Sequence, residues 1–96
     1  MPYQRLQAWQ ASHRLVQRIY QATVNWPKFE LYGLTSQTRR AAFSVPMNIA
    51  EGFAKRGSRE LRRFLDIALG SLSELSYCIY LARDFGVLNA SGMGRD

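Results

Sequence analysis

The side chains equipped for chemistry in this sequence are mostly cations. Lys55, Arg56, Arg59, Arg62 and Arg63 place five positive charges within nine positions, opposed there by Glu60 alone. Arg39 and Arg40 add two more upstream. Charges at this density suit phosphates, whose contacts displace counterions and carry no sequence information. Aromatic residues do not interleave with the 55–63 cluster, which argues against base-specific reading of single strands there. The competing reading is a solvated face, because Arg62 and Arg63 lie within one helical turn of Asp66 and are placed to pair with it.

A second set of polar residues appears when the stretch 37–55 is projected at about 100° per residue. Gln37, Arg40, Ser44, Asn48, Glu51 and Lys55 form one narrow stripe. Thr38, Ala41, Ala42, Val45 and Ile49 lie opposite, and Phe43, Pro46, Met47 and Ala50 make a third, largely apolar face. A helix with so thin a wet stripe should be covered on most sides. Arg40 and Glu51 are then expected to find partners, with Glu74, the Trp26–Leu34 connector or a neighbouring subunit as candidates. About 16 Å along the axis keeps them from pairing with each other. Phe43, Met47 and Ala50 are the expected oligomer interface, since large side chains left in water cost about 1.5–3 kcal/mol each.

Catalysis finds no comparable support. Glu51 and Glu74 have no His, Cys or second acid at a spacing that defines acid–base or nucleophilic chemistry. His13, the sole histidine, sits at a seam edge between Trp9 and Gln17 and reads as a core-edge residue. Cys78 reads as a small buried hydrophobe beside Ile67 and Phe85. Gly86, Gly92 and Gly94 punctuate a turn and a tail and form no phosphate loop. No catalytic residue, metal site or cofactor is expected, and the chain reads as nonenzymatic.

Helices must position these groups. Leu6, Trp9, His13, Val16, Tyr20 and Thr23 repeat at threes and fours, widened by Leu15, Ile19 and Trp26, and predict a helix over 5–25. Pro27 ends it, and Trp26, Phe29, Leu31 and Tyr32 should pack the connector across a bundle end. Thr35 is the expected N-cap of a second helix over 35–54, with Pro46 inside it as a kink. Ser58 is the expected cap of a third over 58–85, with a seam of Leu61, Leu65, Ala68, Leu72, Leu75, Ile79 and Ala82. Gly70, Ser71, Ser73 and Ser76 suit close approach by another helix, and Gly86 stops the third helix. Residues 1–88 are thus read as one all-α antiparallel up-down bundle, and 89–96 as a disordered tail.

The chain has 96 residues and a formal charge of +6, drawn mainly from arginine, which favours anionic partners. A single cysteine excludes an internal disulfide and fits a reducing cytoplasm. No uninterrupted apolar run has the ~20 residues of a membrane span, and Met-Pro-Tyr-Gln-Arg-Leu has no signal-peptide pattern, so no membrane partner is expected.

Certain stretches carry a family resemblance: Trp9-Gln10 with Ile19-Tyr20, Glu30-Leu31-Tyr32-Gly33-Leu34-Thr35 with Gln37, and Arg39-Arg40-Ala41-Ala42. Ser44-Val45-Pro46, Asn48-Ile49-Ala50-Glu51-Gly52 and the run from Phe64 to Leu75 extend it. In this order they resemble the four-helix-bundle family encoded in intervening sequences of bacterial 23S rRNA genes. The resemblance implies an up-down bundle that assembles as a pentamer. It also implies a fold like that of the accessory proteins of diversity-generating retroelements, basic pentameric barrels that engage a reverse transcriptase and nucleic acid. The resemblance also implies a fourth helix after a Gly-x-Leu, here Gly86-Val87-Leu88, which is expected to be missing or truncated in this chain. The expected function is therefore a nonenzymatic oligomer binding RNA or DNA through Arg39, Arg40 and the 55–63 cluster. The alternative is a module docking a protein partner such as a reverse transcriptase.

Overall fold

Apolar residues at helical spacing on a polar background give α1 over Gln7–Thr23. Its last hydroxyl, on Thr23, donates back to the Ile19 carbonyl at 2.7 Å, and Pro27 bars any continuation. The computed structural model describes residues 2–87; the expected tail at 89–96 lies outside the described residues. Short 3-10 turns at Tyr3–Arg5 and Lys28–Glu30 flank α1. Helix α2 spans Leu34–Ala54 and α3 spans Ser58–Asp84. No strand occurs among the described residues.

Pro46 stands inside α2 as expected and is buried. It leaves the Ala42 carbonyl without its ladder donor, and burial of Thr38, Ala41, Ala42, Val45 and Ile49 on both sides of it holds the helix together. Gly86 follows α3 with φ +73°, the left-handed conformation of a helix stop.

Three core layers fix the topology. Val45, Ile49 and Ala68 pack with Leu6 and Trp9 at one end. Ile19, Ala41, Ala42 and Leu75 meet Leu15 and Val16 in the middle. Trp26, Ala82 and Val87 close on Leu34 at the other end. Residue numbers rise through the layers in α1 and α3 and fall in α2, so neighbours run antiparallel. Both outer helices pack on α2, and α1 and α3 make no close backbone approach to each other. Near the α2–α3 turn the two helices approach closely: a Cβ on Gly52 would lie 3.0 Å from Phe64 Cβ.

Several expectations are corrected by the coordinates. Thr35 does not cap α2; Gly33 holds the N-cap position, and Glu30 Oε1 accepts the Leu34 N–H at 3.1 Å. Gly57, not Ser58, occupies the N-cap of α3, with φ +92°, a conformation that favours glycine. In the connector Trp26 is buried, but Phe29, Leu31 and Tyr32 are exposed. The inward seam of α3 is Phe64, Ala68, Ser71, Leu75, Cys78 and Ala82, whereas Leu65, Leu72 and Ile79 are exposed. Of Gly70, Ser71, Ser73 and Ser76, Ser71 is the one buried, and the space beside Gly70 is open. By length and average composition α3 also reaches what a membrane span requires; core helices of bundles meet the same test, and one face of α3 is packed on α2.

Candidate nucleic-acid interface

The α2–α3 turn is three residues long, Lys55 to Gly57, and carries the cationic cluster to one end of the rod. Lys55, Arg56, Arg59, Arg62 and Arg63 are all exposed. Arg59, Arg62 and Arg63 stand at i, i+3 and i+4, so they share a face of α3. No side chain caps the first turn of this helix, and its open N–H groups add the positive end of a 27-residue dipole. Cations here work against that dipole, and an anion relieves both.

Carboxylates neutralise little of this charge. The ion pair formed among the described residues joins Arg63 Nε to Glu60 Oε1 at 3.4 Å, with both side chains largely in solvent. The pairing of Arg62 or Arg63 with Asp66 is not made. Phe64 lies beneath the cluster, with the Arg63 guanidinium 4.7 Å and the Lys55 ammonium 5.7 Å from its ring centre.

Arg39 and Arg40 belong elsewhere. About 22 Å of α2 separates Arg40 from Lys55, so the seven cations do not form one surface. Arg39 is partly buried, donates from Nε to Thr23 Oγ1 at 2.8 Å, and lays its guanidinium 4.7 Å over the Tyr20 ring. Arg40 is exposed.

The polar stripe divides. Asn48 Nδ2 donates to the Ser44 carbonyl at 2.7 Å and to Ser44 Oγ at 3.0 Å. Ser44 Oγ in turn meets Ser71 Oγ at 2.8 Å, tying α2 to α3. Arg40 and Glu51 are exposed and make no side-chain hydrogen bond to the described residues of the protomer, so neither Glu74 nor the connector serves as their partner. Phe43, Met47 and Ala50 line a groove of about 240 Å³ with Trp9, His13 and Pro46. Met47 is 56% exposed, and His13 stacks on Trp9 at 4.9 Å. No group of three or more potential metal ligands occurs among the described residues.

A family model described as 23S rRNA-intervening sequence protein matches residues 4–93. The chain belongs to that family. No curated protein matches it. The match takes in all three helices, so the cationic turn, the Ser44–Asn48–Ser71 cluster and the Met47 groove are features of a 23S rRNA-intervening sequence protein and not of an appended segment.

Two further places escaped sequence reading. Between α1 and α3, over a floor of Val45 and Ile49, lies an apolar groove of about 420 Å³ walled by Leu15, Leu65, Leu69 and Leu72. Its signal was present as leucines at i, i+4 and i+7 on α3, but Leu65 and Leu72 were read into an inward seam. The second is a pocket at the connector end, where Tyr20 and Tyr32 converge on Arg39 and Arg40. These residues come from α1, the connector and α2, and no sequence spacing links them.

Proposed function

We propose that this intervening-sequence protein is a nonenzymatic, homo-oligomeric binder of RNA or DNA that grips phosphates with its α2–α3 turn. The observation that carries the reading is the turn itself. It presents five exposed cations at an uncapped helix start, and one loose carboxylate contact offsets them. Contacts of this type make affinity fall steeply with salt and vary little with sequence. Self-association through the Phe43, Met47 and Ala50 groove repeats the turn in one particle, and weak phosphate contacts then add through multivalency.

The test is binding of labelled RNA and DNA by fluorescence anisotropy across rising salt, paired with sedimentation of the same sample. A steep linear fall of log affinity with log salt, from a species heavier than the protomer, is the expected result. Absence of binding at low salt removes the reading. The apolar groove between α1 and α3 favours a second reading, a module that docks a protein helix. A protein complex that survives high salt identifies that case.

A further inference from the structure

At the opposite end from the cationic turn, a pocket of about 310 Å³ is lined by Tyr20, Leu31, Tyr32, Ser36, Arg39 and Arg40, with Phe43 at its edge. That volume is near the lower bound of small-ligand sites, about 300 Å³. Its composition is unlike the other cavities. Tyr32 is 94% exposed and Tyr20 42%, although each has a large apolar ring that folding normally covers. Beside Tyr20, in the same pocket, stands an arginine that is already fixed. Arg39 is held at Nε by Thr23 and sets its guanidinium carbon 4.7 Å from the Tyr20 ring centre, while its terminal nitrogens make no hydrogen bond to the described residues. Thr23 is itself anchored to the Ile19 carbonyl, so the guanidinium is positioned by contacts to α1. Arg40 beside it is exposed, and Ser36 supplies a hydroxyl.

We infer that this pocket takes one unpaired nucleotide, with its base stacked on Tyr32 and the outer face of the Arg39 guanidinium and its phosphate held by Arg40. Flat aromatic rings and guanidinium planes are the surfaces on which unstacked bases settle, whatever their sequence. A base inside a duplex is already stacked on both sides and cannot enter. A fixed arginine favours the complex, because the ordering that binding would otherwise demand is complete before the ligand arrives. The inference rests on the nucleic-acid reading above and extends it: the cationic turn attracts any polyanion, and this pocket selects single strands.

The experiment compares oligouridylate, oligodeoxythymidylate and an RNA duplex, each binding the full chain at low salt, with Tyr32→Ala and Tyr32→Phe variants. Tyr32 is almost wholly in solvent, so its removal leaves the fold intact. The expected result is a loss of about tenfold in single-strand affinity for Tyr32→Ala, equivalent to ~1.4 kcal/mol of stacking. Tyr32→Phe should retain wild-type binding, and duplex affinity should not change. Whichever single strand shows the loss identifies the ligand's source. If wild-type protein binds nucleic acid but Tyr32→Ala weakens no strand, or weakens duplex equally, the pocket is overturned while phosphate binding stands. If Tyr32→Ala instead alters the sedimenting species, the pocket is a subunit contact and the proposal fails. If no nucleic acid binds at all, both readings fall together.

Discussion

The two ends of α2 hold their cations in opposite ways. At the turn into α3, five charges stand in solvent with one weak carboxylate contact among them, and their aromatic neighbour, Phe64, is buried beneath them. At the connector end there are two arginines. One is pinned between a threonine and a tyrosine, and the aromatics stand in the open. Free cations act at a distance and tolerate any polyanion, since their energy comes from released counterions. A fixed guanidinium beside exposed rings acts at contact range and needs a flat partner. In the proposed function, one chain thus separates attraction from selection by about 22 Å of helix.

The largest effect should come from stripping the loose end. Replacing Arg59, Arg62 and Arg63 together by Gln removes three of the proposed phosphate contacts. The slope of log affinity against log salt should become shallower by about 2–3 units. Circular dichroism should report unchanged helices, as all three side chains are exposed. An unchanged slope breaks the comparison, because the turn would then be a solvated face.

A smaller effect is expected from unpinning Arg39. Thr23→Val deletes the hydroxyl that accepts Arg39 Nε and should cost about 1 kcal/mol in thermal stability. Single-strand affinity should fall severalfold with duplex affinity unaltered, which isolates the contribution of a fixed guanidinium. Equal losses on both ligands would mean that Arg39 acts as a plain charge.

How much of this was legible beforehand follows from which features are local. Helix positions were, because apolar spacing is a property of consecutive residues: 5–25, 35–54 and 58–85 became Gln7–Thr23, Leu34–Ala54 and Ser58–Asp84. The caps were missed by one or two positions. Ser58 and Gly57 both suit an N-cap, and the positive φ that decides between them is set by how α3 must dock. On α3, apolar residues cover more than one face, so periodicity could not say which stripe turns inward. Of the expected seam, Ala68, Leu75 and Ala82 face α2, and Phe64, Ser71 and Cys78 join them there in place of Leu65, Leu72 and Ile79. The five clustered cations were visible because they are sequence neighbours. The Tyr20–Tyr32–Arg39 pocket was not, since its members meet only when α1 and α2 fold back on each other.

The smallest predicted effect concerns the lone carboxylate at the cationic end. Glu60→Gln frees Arg63 from its exposed partner and should alter stability by less than about 0.5 kcal/mol. Affinity for duplex and single strand should rise together, by about twofold, at low salt. A rise confined to single strands would show that the turn selects as well as attracts, and the division between the two ends would need to be redrawn.

Because α1 and α3 meet chiefly through α2, the rod does not have to open all at once. Local unfolding follows the boundaries where few apolar contacts cross. Helix α1 buries Ser12, Ile19 and Thr23, whereas α2 is engaged with α3 along its length. Thermal fluctuations should therefore detach α1 first and leave the α2–α3 hairpin standing. Amide protons of α1 would exchange with solvent well before those around Val45 and Leu75. Every such excursion takes Tyr20 and the Thr23 anchor of Arg39 away from the proposed nucleotide pocket and spares the cationic turn. On the proposed reading, the protein then alternates between a state that grips and one that only attracts, on a clock set by a single helix.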